Sequence, residues 1–164
     1  MKLLFIGGTG IISSACSELA VERGHELFLL NRSHSKKFPP PEHATVLQAD
    51  VHADSAHLST LLAGRRFDAV VDFIAFFPRD VERDLSLFRD KTDQLVFISS
   101  ASAYQKPVKN YLITEETPLE NPFWEYSRGK IACENLLMKE YRENGFPATI
   151  VRPSHTYGPS QIPF

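Results

Sequence analysis

Short, nearly continuous apolar runs alternate along the chain with longer stretches in which apolar residues recur every three or four positions. A strand in a parallel sheet is covered on both faces, so it reads as a continuous apolar run instead of an alternation. The pattern therefore predicts an α/β protein with a doubly wound parallel sheet, in the order 3-2-1-4-5-6, and helices on both faces. The predicted strands are 2–6, 26–30, 45–48, 69–75, 94–98 and 147–152.

Helical periodicity predicts four helices, at 11–23, 54–62, 78–88 and 123–143. We expect Asp54 as the N-cap of the second helix, Pro78 as the first residue of the third, and Gly24 and Gly145 as left-handed stops. Residues 101–122 contain three prolines and have no periodicity. Long irregular segments in compact domains are usually functional, so we expect this one to contribute to a site.

The first strand and the first helix are joined by a glycine-rich turn, Gly7-Gly8-Thr9-Gly10-Ile11-Ile12-Ser13. Glycines let a diphosphate approach the backbone, and the unpaired N–H groups at a helix start favour an anion. Strand, glycine turn and helix together are the context of a Rossmann-type dinucleotide site, although a plain tight turn is the alternative. We predict that the cofactor is contacted by Gly7, Gly10, Ile11, Ile12 and Ser13. Ser13 replaces the usual third glycine; its small side chain fits with a slight lift of the helix.

The ends of the second and third strands bear on which cofactor is bound. A carboxylate after the second strand would bind a ribose 2′-hydroxyl and repel a 2′-phosphate, but this chain has Asn31 and Arg32, with Ser33, Lys36 and Lys37 nearby. This favours NADP over NAD, the alternative being a solvated basic loop. Asp50 and Val51 follow the third strand. Asp50 either accepts a bond from the adenine amino group or has a loop or cap role, and the sequence leaves both open.

Composition narrows the function classes. The 164 residues, 43% hydrophobic and 23% charged, are enough for one globular core, and a net charge of −2 gives no electrostatic case for binding nucleic acid or an anionic membrane. No apolar run is long enough for a membrane span and no targeting segment is visible, so we expect a cytoplasmic protein. Cys16 and Cys133 fit buried helical positions in a reducing compartment. His52 and His57 are five residues apart, a spacing that does not place them on the same helix face, and we expect no metal site.

The carboxyl ends of the predicted strands gather the remaining candidates at one edge of the sheet. In such sheets ligands bind beyond this edge, near the switch point between strands 1 and 4. Besides the glycine turn and Asn31, this edge carries four further predicted cofactor-binding residues, namely Ile74, Ala75, Ser99 and Pro153.

Candidate catalytic residues lie at the same edge. Tyr126 and Lys130 are four apart on one helix face, and a nearby cation lowers the pKa of a phenol from its usual value of about 10. Tyr-x-x-x-Lys is also common on helices where the tyrosine packs and the lysine is solvated. Ser100 ends the fifth strand and could donate a hydrogen bond to the substrate oxygen that exchanges a proton with Tyr126. The alternative for Ser99 and Ser100 is a cap at the strand end.

These residues resemble the N-terminal, cofactor-binding portion of the extended short-chain dehydrogenase/reductase family, NAD(P)-dependent epimerases and dehydratases that act largely on nucleotide sugars. The resemblance implies that Tyr126 is the acid/base and also contacts the cofactor, that Lys130 is its partner and a ribose ligand, and that Ser100 is the donor to the substrate oxygen. It also implies that the backbone around Pro153 meets the nicotinamide carboxamide. The matching motifs are Gly7-x-x-Gly10-x-x-Ser13, Asp50, Phe73-Ile74-Ala75, Ser99-Ser100 with Tyr104, Thr114-Glu115-Glu116-Thr117-Pro118-Leu119, Tyr126-x-x-x-Lys130, and Arg152-Pro153-Ser154 with Tyr157-Gly158-Pro159.

The chain departs from the family pattern at Ser13, at Asn31-Arg32 where an acidic residue is common, and at Gln105 where a glycine is usual. The resemblance implies a Rossmann domain at 1–152 and the start of a truncated substrate-binding lobe at 153–164. We therefore expect a partial gene product, which can bind cofactor without turning substrate over. Epimerase, dehydratase and reductase stay open as activities on a nucleotide sugar. A catalytically silent NAD(P)-binding regulator or RNA-associated protein is the alternative, and a homodimer through the helix of Tyr126 is also left open.

Overall fold

The computed structural model describes residues 1–32, 37–52 and 55–158, with only the backbone of Ser55. The strands are β1 (Lys2–Ile6), β2 (Glu26–Asn31), β3 (Thr45–Gln48), β4 (Ala69–Asp72), β5 (Leu95–Ile98) and β6 (Ala148–Val151). The helices are α1 (Ile11–Glu22), α2 (Ser55–Leu61), α3 (Pro78–Phe88) and α4 (Glu125–Asn144), and a 3₁₀ turn spans Ala101–Ala103. The predicted N-cap Asp54, the basic-loop residues Ser33 and Lys36, and residues 159–164 lie outside the described residues.

The six strands form one sheet in the order β3-β2-β1-β4-β5-β6, which confirms the predicted fold class and strand order. All five pairs of neighbouring strands are parallel. β1 pairs with β2 on one side and with β4 on the other, so the chain reverses its direction of winding between β1 and β4. The carboxyl ends of all strands therefore meet at one edge, with the switch point above Ile6.

The core has two parts, one on each face of the sheet. In β1, Leu4 and Ile6 belong to the larger cluster, whereas Leu3 and Phe5 belong to a smaller one that includes Ala20 of α1. Successive side chains of a strand point to opposite faces, so both sets must be apolar when both faces are covered. This double burial is why the strands could be predicted from continuous apolar runs.

Two predicted boundaries were wrong by two residues or more, and in each case a side chain takes over the backbone hydrogen bonds. β4 ends at Asp72 instead of residue 75, because Asp72 Oδ1 accepts from the N–H groups of Ile74 (2.6 Å) and Ala75 (2.8 Å). α4 begins at Glu125 instead of residue 123, after Asn121 Oδ1 has accepted from the N–H of Phe123 at 3.1 Å. The predicted helix stops are confirmed, since Gly24 and Gly145 have φ of 74° and 64°.

A mostly buried ion pair joins α4 to the residue that follows β6. Arg152 Nη2 lies 2.6 Å from Glu134 Oε2, and its Nε donates to both carboxylate oxygens at 3.1 Å. The hydroxyl of Ser99 also donates to Glu134, and Arg152 Nη1 donates to the Tyr104 hydroxyl at 3.1 Å. These hydrogen bonds raise the pKa of Arg152, so the guanidinium stays charged. The cluster therefore fixes the end of β5, where Ser100 follows, against α4 and β6.

Glu134→Gln is expected to lower the free energy of unfolding by about 3 kcal/mol, because it leaves the Arg152 guanidinium mostly buried without its counter-charge. Urea unfolding monitored by circular dichroism measures the change. Glu143→Gln, which removes the exposed ion pair of Lys139 and Glu143 on the same helix, is the matched control and should leave the midpoint almost unchanged. Equal midpoint shifts in the two variants would contradict a structural role of the buried pair.

Candidate functional site

A cavity of about 360 Å³ opens at the carboxyl edge of the sheet, above β1, β2 and β3. Its volume is within the range of small-molecule sites. Seven of the predicted cofactor-binding residues line it, together with residues that the sequence analysis did not select. The lining comprises Gly7, Thr9, Gly10, Leu30, Asn31, Arg32, Ala49, Asp50, Val51, His52, Ile74 and Phe76.

At Gly7 and Gly8, the glycine turn at the floor of this cavity has no room for a side chain. Gly7 has a φ of 80°, and a Cβ on it would lie 2.5 Å from Cγ2 of Ile74. A Cβ on Gly8 would lie 2.5 Å from Cδ2 of Leu29. The bare backbone and the first N–H groups of α1, which have no helical carbonyl to bind, form a cradle that suits the diphosphate of a dinucleotide.

Ser13 closes the glycine turn from within. Its buried hydroxyl donates to the Gly7 carbonyl at 2.7 Å and accepts from the Gly10 N–H at 2.7 Å. Ser17 adds a third link, since its hydroxyl donates to the Gly8 carbonyl at 3.0 Å. Because Ser13 takes the N–H of Gly10, the amides left to face a phosphate begin with Ile11. The predicted contact of Ser13 itself with the cofactor stays a prediction.

The far end of the cavity combines opposite charges. Arg32 Nη1 lies 3.8 Å from Asp50 Oδ2, and the arginine side chain is 66% exposed. Asp50 Oδ1 accepts from the N–H of His52 at 2.9 Å, so the loop role is present while the carboxylate also faces the cavity. His52 in turn approaches Asp80, with Nδ1 3.4 Å from Oδ1. The Asn31 carbonyl accepts from Ala49 at 3.0 Å, which holds β2 and the end of β3 together.

Phe76 separates this cavity from the predicted catalytic residues. It lines the cavity, yet its ring centroid is also 5.9 Å from that of Tyr126 and 4.7 Å from the ammonium of Lys130. Its carbonyl approaches α4 so closely that a Cβ on Gly129 would lie 2.6 Å away. Neither Phe76 nor Gly129 was predicted from the sequence, although a glycine inside a helix between Tyr126 and Lys130 is a usable signal.

Lys130 is buried at the centre of this region. Only 1% of the residue is exposed, and its ammonium donates to the carbonyls of Ala75 at 2.6 Å and Ile98 at 2.7 Å. Removal from water lowers the pKa of Lys130 to about 8. The lysine thus joins α4 to the residues that follow β4 and to the last residue of β5.

Tyr126 differs from the expectation that a nearby cation would lower its pKa. Partial burial raises the pKa of the phenol, and a hydrogen bond with the Ser100 side chain opposes this only in part. The reason is geometric: the Lys130 ammonium is directed at two carbonyls and lies over the face of the tyrosine ring, 5.6 Å from its centroid. Trp124 packs on Tyr126 at 4.8 Å between centroids.

The two serines after β5 point in different directions. Ser100 Oγ accepts from the N–H of Ser102 at 3.1 Å, which is the cap role that the sequence left open, and it also reaches Tyr126. The Ser99 hydroxyl faces Glu134 in the core, and the predicted part of Ser99 in cofactor binding stays a prediction. Pro153 lies beside this turn, its carbonyl accepting from Ala101 at 2.9 Å. Ser100, Tyr126 and Lys130 are therefore brought together.

A second charged cluster supports the end of β4 from below. Asp72 Oδ2 and Asp84 Oδ1 lie 2.6 and 2.7 Å from Nη2 of Arg83. Burial, followed by the charge of Asp72, raises the pKa of Asp84 well above its ordinary value. In the part of the chain that the structure describes, no group of three or more His, Cys, Asp or Glu residues could hold a metal ion. Nor does any helix there have the length and apolar character needed to cross a membrane.

Comparisons with known proteins identify the family and the fold of the chain. A sequence profile of the NAD dependent epimerase/dehydratase family matches residues 3–163. The UDP-glucose 4-epimerase of Lactobacillus helveticus is 32% identical over 180 residues, covering 98% of this chain and 53% of that protein. The Chloroplast stem-loop binding protein of 41 kDa b of Arabidopsis thaliana is 29% identical over 96% of this chain and 43% of its own length.

A crystal structure of UDP-galactose 4-epimerase has a TM-score of 0.77 and 23% identity, covering 93% of this chain and 55% of that one, which is a likeness of fold. The chain spans about half the length of the relatives it matches.

Gly7→Ala is expected to destabilise the protein by at least about 1 kcal/mol more than Gly24→Ala, as measured by urea unfolding. Both positions are left-handed, with φ of 80° and 74°, so both variants lose about 1 kcal/mol through backbone strain. Only at Gly7 does the added methyl group meet a neighbour, whereas nothing lies within 4 Å at Gly24. Equal losses would show that Ile74 moves aside freely and that the turn is not closely packed.

Proposed function

Because the chain belongs to the NAD-dependent epimerase/dehydratase family, we propose that it forms the NAD(P)-binding part of an oxidoreductase-like epimerase or dehydratase that acts at a carbinol carbon of a nucleotide sugar. The observation that carries the proposal is the meeting of Ser100, Tyr126 and Lys130 next to a cavity floored by a bare glycine turn. The bound nicotinamide would supply the hydride acceptor and donor. A cytoplasmic location and a substrate lobe that starts near residue 153 belong to the same proposal.

In this proposal Tyr126 removes the proton from the substrate hydroxyl and returns it when the carbonyl is reduced. Ser100 donates a hydrogen bond to the same oxygen and stabilises the charge that develops there. The raised pKa of Tyr126 keeps the phenol protonated at neutral pH. Tyr126 is therefore in the form that donates a proton when the carbonyl is reduced. The base half requires the oxygen of Tyr126 to gain stabilisation from Ser100 and from the neighbouring ammonium.

Lys130 supplies that ammonium. A lysine has three N–H donors, and the carbonyls of Ala75 and Ile98 take two of them, which holds the nitrogen in a fixed position. The third donor is available for a ribose hydroxyl of the cofactor or for the oxygen of Tyr126. Since the pKa of Lys130 is about 8, most of the lysine is charged at pH 7.

The glycine turn and the end of β2 would hold the rest of the cofactor. The amides of Ile11 and Ile12 would face the diphosphate, and Asp50 and Val51 would flank the adenine. Arg32 offers an exposed guanidinium where the 2′ position of the adenosine ribose is expected. We therefore propose that NADP is preferred to NAD, since a 2′-phosphate would meet a cation there.

The names of the relatives support the substrate class. One of them is a UDP-glucose 4-epimerase, so a uridine diphosphate sugar is the first substrate to test. A second candidate function comes from the relative named as a stem-loop binding protein, which favours the alternative of an RNA-associated protein. A net charge of −2 provides little attraction for phosphates, and the acid/base trio is intact, so we rank the RNA-binding function second.

Arg32→Gln is expected to raise the Kd for NADPH about tenfold, because a charge-assisted hydrogen bond contributes about 1.5–3 kcal/mol. The Kd for NADH should change less than about twofold, since NADH has no 2′-phosphate. Titration of the intrinsic fluorescence of the 164-residue chain measures both constants. Arg23→Gln, at the opposite end of α1, is the control and should affect neither cofactor. Tighter binding of NADH than NADPH by the unmodified chain would overturn the NADP preference.

Tyr126→Phe in the complete product of the gene is expected to lower turnover of UDP-glucose or UDP-galactose by about 100-fold or more, because a positioned proton donor contributes at least that much. Tyr141→Phe removes an exposed hydroxyl from the same helix and should leave turnover unchanged. Turnover by Tyr126→Phe within about threefold of the unmodified enzyme would disprove the acid/base role. Binding of an RNA stem-loop in a gel-shift assay, without turnover of any sugar nucleotide, would favour the second candidate.

A further inference from the structure

A line of polar side chains leads from the start of α4 to Ser100. Asn121 Nδ2 donates to Ser127 Oγ at 3.3 Å, and Ser127 Oγ donates to Ser102 Oγ at 2.8 Å. Ser102 Oγ then lies 2.9 Å from Ser100 Oγ. Asn121 and Ser127 are buried, so water does not compete with these bonds. Of these four residues, only Ser100 was predicted from the sequence.

Its first member, Asn121, fixes the direction of the line. The amide oxygen of Asn121 accepts from the N–H of Phe123 at 3.1 Å. The amide nitrogen donates to the Ser102 carbonyl at 2.8 Å and to Ser127. A flipped amide would place its oxygen against a carbonyl and its NH₂ against an N–H, so only one orientation satisfies both neighbours. Asn121 therefore acts only as a donor toward Ser127.

The direction passes from one hydroxyl to the next, because each has a single proton. Ser127 accepts from Asn121 and uses its own proton for Ser102. Ser102 accepts the hydrogen bond from Ser127, and the direction that continues the line has its own hydroxyl donating to Ser100 Oγ, 2.9 Å away. Ser100 then accepts from both the hydroxyl and the backbone N–H of Ser102, the latter at 3.1 Å, which fills its two lone pairs. In this arrangement Ser100 has no lone pair left to accept with, so its O–H group can act only as a hydrogen-bond donor.

We propose that Asn121, Ser127 and Ser102 are positioning residues that make Ser100 a hydrogen-bond donor and never an acceptor toward Tyr126 and the substrate. The proposal rests on the proposed function, in which Ser100 donates either to the phenol oxygen of Tyr126 or to the substrate oxygen. Without the line, the hydroxyl of Ser100 could rotate and accept from Tyr126 instead, which would favour the neutral phenol. With it, Ser100 stabilises negative charge on either oxygen without having to reorient.

The hydrogen bond between Ser100 and Tyr126 acts in the expected sense, since it lowers the pKa of the phenol against the effect of burial. The same polar residues also tie the loop after β5 to α4, and a purely structural role would appear only as a loss of stability. The pKa of Tyr126 distinguishes the two roles. Lys130 lies over the ring and is kept in every variant, so its charge does not differ between them.

The test is a pH titration of the chain labelled with ¹³Cζ-tyrosine, followed by NMR, with the Tyr126 signal assigned by its absence in Tyr126→Phe. Ser100→Ala is expected to raise the pKa of Tyr126, and Ser102→Ala should reproduce about half or more of that rise. Asn121→Asp replaces the amide donor by an acceptor and should reverse the direction of the hydrogen bonds. Ser100 would then donate to Ser102 instead of to Tyr126, and the pKa of Tyr126 should again rise. Ser86→Ala, on the exposed side of α3, should leave the Tyr126 signal unchanged.

Double variants separate transmission through Ser100 from direct effects. In a Ser100→Ala background, Ser102→Ala should produce no further rise, and any rise from Asn121→Asp measures its added charge alone. Additive shifts, or an unchanged pKa in folded Ser102→Ala and Asn121→Asp, would overturn the proposal. If Ser102→Ala does not fold, Ser102→Thr, which retains the hydroxyl, and Asn121→Asp decide the question. If Tyr126→Phe loses turnover but the pKa of Tyr126 does not change in the Ser102 and Asn121 variants, this inference alone is refuted. Retained turnover in Tyr126→Phe would refute the proposed function.

Discussion

The burial of one ammonium group determines the geometry of the candidate site. Lys130 brings a positive charge out of water on a residue only 1% exposed, which costs several kcal/mol unless polar groups replace the lost hydration. The carbonyls of Ala75 and Ile98 do so, and the rings of Phe76, Phe97 and Tyr126 lie between 4.7 and 5.6 Å from the ammonium. Because one carbonyl lies in the segment after β4 and the other at the last residue of the neighbouring β5, the lysine fixes α4 across the edge where ligands bind.

Two further charged clusters fix the chain segments whose carbonyls bind Lys130. Asp72 binds the N–H groups of Ile74 and Ala75, so the carbonyl of Ala75 is presented to Lys130 in a fixed direction. Arg83 neutralises Asp72 from below. On the other side, Glu134 binds Ser99 and Arg152, and Ser100 follows directly in the chain. The site is therefore supported by side chains that never reach the cavity, which explains why polar residues occupy the core on this side of the sheet.

The sequence was sufficient for the sheet and for the outline of the site because the strands are buried on both faces and glycines mark the ends of α1 and α4. It predicted the meeting of Ser100, Tyr126 and Lys130 because the strand ends of a parallel sheet converge. It could not predict that Ser99 turns into the core while Ser100 turns outward, since this depends on where the pleat of β5 ends. It also missed Asn121, Ser102 and Phe76, because a serine, an asparagine and an aromatic residue next to a strand or helix have no periodicity. Their roles follow from three-dimensional neighbours.

Ser13 departs from the usual glycine motif, yet the glycine turn keeps a fixed conformation. A glycine at this position would allow close packing of α1 but would leave the Gly10 N–H and the Gly7 carbonyl without the bonds that Ser13 now makes. The hydroxyl therefore adds two hydrogen bonds that span the turn. The turn is held in one conformation before any ligand arrives, and the entropy lost on ordering it does not have to be supplied by phosphate binding. The cost is one amide donor, so the anion site depends more strongly on the N–H groups at the beginning of α1 than in a turn with three glycines.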